Sequence, residues 1–227
     1  MLIIGLDDTD TLETRGTGHL ARQIAAELGA THTVVGVVRL QLLVDPRVPC
    51  TKNNSSAAIL VDGPAADPAA VLEKVRAFML ADFQPGSDPG LCVATDVPDA
   101  IVAFGHRAQR ELVTQDEARA LAAAHGIPLL GLGGDEDGVI GALAAVGLAA
   151  SGEDGRYVHV GRLRELSGAQ PVESLMQAGI AAVQTADGLP VSSGPVNTEK
   201  LRPARRGGRP VAVVEWQEDH WQPLKLD

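Results

Sequence analysis

A chain of 227 residues has room for one large domain, or for a medium one with a small companion. Apolar residues make up 45% of it but aromatics only 3%, so alanine, valine and leucine must fill the core. A net charge of −10 excludes loose, sequence-independent binding to nucleic acid or to anionic membranes; the excess sits in residues 1–152, with 10 basic against 19 acidic side chains.

The chain opens on Leu2-Ile3-Ile4-Gly5-Leu6, a short apolar run that predicts a buried strand. It lacks a basic leader and breaks at once into Asp7-Asp8-Thr9-Asp10, which is not the pattern of a signal peptide. A polar turn ending Gly16-Thr17-Gly18-His19 follows. Leu20, Ile24 and Leu28 then recur at fourfold spacing, the mark of a helix with one apolar stripe, and Thr17 is its expected N-cap. Three aspartates thus stand at the carboxyl end of a strand, beside a helix start. Carboxylates this close raise one another's pKa unless positive charge neutralises them. A hard divalent cation such as magnesium is the simplest partner for Asp7, Asp8 and Asp10, and a helix N-terminus is a natural seat for phosphate. The bland alternative is that one aspartate caps the turn while the others face solvent.

Residues 33–44 read as a second strand, stopped by the prolines at 46 and 49. The polar loop Cys50-Thr51-Lys52-Asn53-Asn54-Ser55-Ser56 offers Lys52, Asn53 and Asn54 to an anion, although a solvated turn explains it as simply. Strand 57–61, helix 68–81 and strand 91–94 follow, then one long helix over 105–125 and a strand over 127–132. Gly131-Leu132-Gly133-Gly134 next opens a small-residue helix from Gly138, an arrangement that lets backbone approach phosphate at Gly133 and Gly134. Tight packing of that helix on the sheet accounts for it equally. Neither a Walker P-loop nor the dinucleotide fingerprint is present.

Residues 151–155 read as a linker, and 156–227 as a small β-α-β-β unit with one basic cluster at Lys200, Arg202, Arg205, Arg206 and Arg209. That cluster is either a flap over an anion or a solvated loop. Cys50 and Cys92 form neither a metal-spaced pair nor a disulfide framework, and no run approaches transmembrane length, so a cytoplasmic protein is expected.

Several of these stretches together resemble a family. Ile4-Gly5-Leu6-Asp7-Asp8-Thr9-Asp10 with Gly16-Thr17-Gly18-His19-Leu20-Ala21, then Arg39-Leu40, Val48 to Ala57, Asp88-Pro89-Gly90-Leu91 and Gly138 to Gly147, fall in the order seen in the archaeal agmatidine synthetases, which modify the wobble cytidine of an isoleucine tRNA. The resemblance is good over residues 1–150 and faint beyond.

It implies an α/β, kinase-like domain that binds ATP and Mg2+ over 1–150, followed by a ferredoxin-like domain with α+β character over 156–227. It places Asp7, Asp8, Asp10 and Thr17 in the catalytic centre, the three aspartates on the metal, and Gly16, Gly18, Lys52, Asn53 and Asn54 on the nucleotide. It implies phosphoryl transfer or phosphate activation toward an acceptor that the sequence does not name.

The family continues into an oligonucleotide-binding domain and a zinc ribbon, and this sequence ends at Asp227 without them. The expectation is therefore of a nucleotide and a small-molecule or nucleoside acceptor, without a direct grip on tRNA unless a partner supplies it. Self-association into a homo-oligomer stays open. Two rival functions are a haloacid-dehalogenase-type phosphatase, read from Asp8-Thr9-Asp10, and a non-catalytic nucleotide or metabolite sensor.

Overall fold

The computed structural model describes residues 1–51, 53–63 and 67–225, so Lys52 lies outside the described residues. Contacts divide the chain into two units, Met1–Ser151 and Gly152–Asp227.

In the first unit the opening apolar run forms β1 (Leu2–Asp7), buried from Leu2 to Leu6. It is followed by α1 (Thr17–Gly29), β2 (Thr33–Gln41), β3 (Ser55–Asp62), α2 (Pro68–Ala81) and β4 (Gly90–Ala94). Then come α3 (Asp99–Ala108), α4 (Gln115–Ala124), β5 (Leu129–Gly131) and α5 (Gly138–Ser151). The strands lie in the order β5-β4-β1-β3-β2, and every neighbouring pair is antiparallel. From β1 to β4 this is a β-α-β-β-α-β chain with β3 inserted between β1 and β2, the split β-α-β arrangement of ferredoxin-like folds.

Helix α5 is apolar all round, and residues 141–149 are buried, as such a helix must be. It packs on β1, β4 and α3. Small residues permit the approach: a Cβ on Gly5 would fall on the Ala142 carbonyl, and one on Gly147 on the Ile101 carbonyl. Tight packing is thus what its glycines and alanines serve.

The single helix expected over 105–125 is two helices, α3 and α4. Thr114 opens the second with a capping box: its hydroxyl accepts the Glu117 N–H (3.3 Å), and the Glu117 carboxylate accepts the Thr114 N–H (2.9 Å). Helical periodicity ran through both segments and hid the break.

The second unit holds β6 (Arg156–His159), β7 (Ala169–Pro171), α6 (Val172–Gln177) and β8 (Ala182–Thr185). It continues with β9 (Pro195–Asn197), β10 (Ala204–Arg206), β11 (Arg209–Gln217) and β12 (His220–Pro223). Its sheet runs β6-β10-β11-β12-β9-β7, with β8 parallel to β11, and Ala204, Val211 and Val213 share a small core. The expected β-α-β-β order is present as β6, α6, β8 and β11, with four short strands added. Arg205 is taken up internally, while Arg206 stays exposed and is tied down by a backbone carbonyl. Arg205 is 3% exposed and donates from Nη1 to the Tyr157 hydroxyl (2.7 Å) and the Gly208 carbonyl (3.0 Å), and Arg206 reaches the Glu153 carbonyl (2.7 Å). Among the described residues no helix is long and apolar enough to cross a membrane.

Candidate functional site

Side chains alternate along a strand, so Gly5 and Asp7 point to the same side of β1. Gly5 meets the Ala142 carbonyl of α5, and Asp7 meets the adjacent residue of that helix: a Cβ on Gly141 would fall on the Asp7 carboxylate. Asp7 is therefore pressed against α5 at the end of the strand. Burial, first, and the neighbouring Asp8 push its carboxyl up to about 7. Asp8 follows with a left-handed backbone (φ 52°), unusual for a residue with a side chain. Burial and the charges of Asp88, Asp10 and Asp137 raise its carboxyl to about 6.

Asp10 is differently placed. Its Oδ1 accepts the backbone N–H of Thr17 (3.0 Å) and the Thr17 hydroxyl (3.1 Å), and its Oδ2 accepts the Thr51 hydroxyl (3.0 Å). The Thr17 hydroxyl in turn accepts from the N–H (3.3 Å) and hydroxyl (3.2 Å) of Thr9. Thr9 and Thr17 are both buried. The N-cap position is Gly16 and Thr17 is the first helical residue, so the cap on α1 comes from Asp10, seven residues upstream, and not from Thr17 as expected.

These residues open onto a cleft of about 760 Å3, a size suited to a nucleotide or metabolite. Asp7, Asp8, Asp10 and Thr17 line it, together with Asp88, Asp137, Thr51, Asn53 and Asn54. Leu12, Leu43, Val48 and Leu112 supply apolar wall. Leu112 and Val113, which fall within the long helix expected over 105–125, line the cleft from the segment between α3 and α4. Among the described residues no three His, Cys, Asp or Glu side chains are gathered so as to hold a metal ion by themselves. Thr17 and Thr51 already engage both oxygens of the third member of the expected trio, Asp10.

The expected nucleotide glycines lie elsewhere. A Cβ on Gly133 would meet the Phe83 ring at 2.6 Å, and one on Gly134 would fall on the Asp88 carboxylate, so both glycines seat their loop on neighbouring side chains. Neither lines the cleft, and neither do Gly16 and Gly18. The first three N–H groups of α5 are also in use, donating to the carbonyls of Asp88 (2.9 Å), Glu136 (3.2 Å) and Asp137 (3.0 Å). That helix start has no spare donors there for phosphate. Asn54 spends its amide on the Leu43 carbonyl (2.9 Å), while Asn53 is exposed along the cleft.

Asp88 and Asp137 escaped the sequence reading. The Asp88 N–H donates to the Asp8 carbonyl (3.2 Å), and its Oδ1 accepts the Asp135 N–H (2.7 Å). The available signal was the turn Asp88-Pro89-Gly90, which delivers Gly90 opposite Asp7 in the β1–β4 register.

No family model matches the chain. Over 157 residues it is 28% identical to an uncharacterized protein of Methanocaldococcus jannaschii, covering 65% of this chain and 50% of that protein. Over 153 residues it is 30% identical to TiaS of Pyrococcus horikoshii, the 2-agmatinylcytidine synthetase that acts on an isoleucine tRNA, covering 65% of this chain and 35% of the synthetase. The crystal structures of TiaS with tRNA and ATP, and of TiaS with tRNA, AMPCPP and agmatine, match with TM-scores of 0.57 and 0.56 at 26% identity, over 64% of this chain and 36% of each synthetase chain. The chain spans half or less of the length of these relatives. Over about two thirds of its own length, then, this chain is similar in sequence and in fold to part of the tRNA 2-agmatinylcytidine synthetase TiaS.

Proposed function

We propose that the cleft at the end of β1 binds a nucleoside triphosphate, ATP first, together with Mg2+, and that a phosphoryl-transfer or phosphate-activating step toward an acceptor takes place there. The observation that carries this reading is that Asp7 and Asp8, consecutive carboxylates at the end of β1, both line a nucleotide-sized cleft, with burial and neighbouring charge raising their carboxyls to about 7 and about 6. Carboxyls whose ionised forms are disfavoured by burial and by neighbouring negative charge are groups that an entering cation stabilises in their ionised, ligating form.

Magnesium fits this donor set. It takes one or two protein carboxylates and completes its shell with water and substrate phosphate, which does not require three preassembled ligands. Asp7 and Asp8 would hold it, and when bound it neutralises and orients the phosphates. The chain's own residues do the rest. Asp10 and Thr17 keep the β1 end and the α1 start in register, Asn53 presents an amide along the cleft, and Leu12, Leu43 and Leu112 offer apolar surface to a base. Lys52, expected at the phosphates, lies outside the described residues.

The solved relatives include a TiaS complex with ATP and one with AMPCPP and agmatine, which favours a nucleotide over the phosphatase reading. Among the described residues the lining carries Asp7, Asp8, Asp10, Glu13, Asp88, Glu111 and Asp137 against Arg47 as its basic member. A wall this acidic repels a bare polyanion, so the nucleotide enters with its cation and direct binding of tRNA here is not expected.

Calorimetric titration of ATP with and without magnesium tests the reading, using Asp8→Asn as control. Magnesium-dependent binding by the wild type that the variant loses supports it. Equal binding by both proteins, or binding indifferent to magnesium, sinks it.

A further inference from the structure

The loop that runs from β2 to β3 touches the aspartate turn through a side-chain link, the Thr51 hydroxyl on Asp10 Oδ2 at 3.0 Å. The partners are 41 residues apart in sequence. On its other oxygen Asp10 holds the backbone and hydroxyl of Thr17, and thereby the start of α1. One carboxylate thus joins three segments: the turn after β1, the first turn of α1, and the loop that carries Asn53 along the cleft. Asp10 accepts three hydrogen bonds from two threonines, and Thr51 is half-buried beneath the loop's exposed residues.

We propose that Thr51 is a positioning residue for the nucleotide site: its hydroxyl ties Thr51 to Asp10, and so sets Asn53 at the distance from Asp7 and Asp8 that a metal–triphosphate must span. The inference rests on the nucleotide reading above and assigns a role to a residue that the reading does not need. A hydroxyl is the right group for it. It donates to an ionised acceptor, a charge-assisted bond stronger than one between neutral groups, and it carries no charge that would compete for the cation.

The test compares Thr51→Val, which keeps shape and removes the donor, with Thr51→Ser, which keeps the donor. In the ligand-free protein, amide hydrogen exchange over residues 45–54 should rise at least several-fold in Thr51→Val and stay near wild type in Thr51→Ser. In titrations with ATP and magnesium, Thr51→Val should bind about 10- to 100-fold more weakly, the size expected for one charge-assisted hydrogen bond, and Thr51→Ser should recover most of it. In an Asp10→Asn background, where the acceptor is weakened, Thr51→Val should cost markedly less than in the wild type, because residues acting through one link are not additive.

Unchanged exchange of the loop in Thr51→Val overturns the tie to Asp10, whatever the nucleotide result. A loss of ATP affinity that Thr51→Ser does not restore, or that persists in full in the Asp10→Asn background, overturns the positioning role. Absence of ATP binding by the wild type itself overturns the nucleotide reading, and the exchange comparison then still decides whether the tie holds.

Discussion

The carboxylate of Asp7 occupies the space that Gly141 leaves by having no side chain: a Cβ at 141 would coincide with it. One strand end and one helix are thereby fitted together at the floor of the cleft.

Gly141→Ala should consequently destabilise the protein. In an ordinary helix interior this change gains roughly 0.5–1 kcal/mol. Here overpacking against Asp7 should reverse the sign and cost about 1–3 kcal/mol, while displacing the carboxylate and weakening magnesium-dependent ATP binding. Thermal unfolding and calorimetry on the same variant read both effects. A more stable Gly141→Ala protein with unaltered binding would refute the packing argument.

The ligand-free protein should lose stability as pH rises. Asp7 and Asp8 have folded-state values of about 7 and about 6, above the unfolded 3.8, so folding favours their protonated forms. Their contribution is complete below about pH 4 and is lost as pH climbs through 6 and 7. Relative to Asp7→Asn, which cannot titrate at that position, wild-type stability should fall by roughly 2–4 kcal/mol between about pH 4 and pH 8. Denaturant unfolding across that range measures it. Magnesium with ATP should restore most of the loss at the alkaline end, and their binding should tighten from about pH 5.5 to 7.5 as protons are released.

Asp8→Asn should stabilise the empty protein by about 1 kcal/mol, since asparagine tolerates the left-handed backbone at φ 52° and removes the repulsion from Asp88, Asp10 and Asp137. Asp8→Ala keeps the first strain without the local hydrogen bonding and should be the less stable of the two. A melting series of the three proteins checks the order.

Thr114→Ala removes the capping box of α4 and should cost about 1 kcal/mol. Thr114 does not line the cleft, so ATP binding should be unchanged. The variant separates general loss of stability from loss of the site.

Much of the cleft's acidic lining was legible because those residues cluster in sequence. Asp7, Asp8, Asp10 and Thr17 all line the cleft, and their proximity follows from one strand end and one turn. Thr51 belongs to it through a contact made 41 residues away, and Asp88 and Asp137 through contacts longer still, which no local pattern announces. The glycine pair 133–134 shows the opposite failure. A glycine loop before a helix has the same spacing whether it cradles phosphate or packs on Asp88 and Phe83, and only the neighbours distinguish the two.

The amino-acid sequence by itself determined that a buried apolar strand ends in three carboxylates beside a helix start, since apolar runs, helical spacing and like-charge crowding are local properties. The tertiary structure decided what each aspartate does. It set Asp7 against Gly141, gave Asp8 a left-handed backbone among distant charges, and turned Asp10 into the cap of α1 and the anchor of the Thr51 loop. The physical reason is that burial and hydrogen bonding depend on which segments come together. Identical side chains a few residues apart therefore acquire different protonation and different partners.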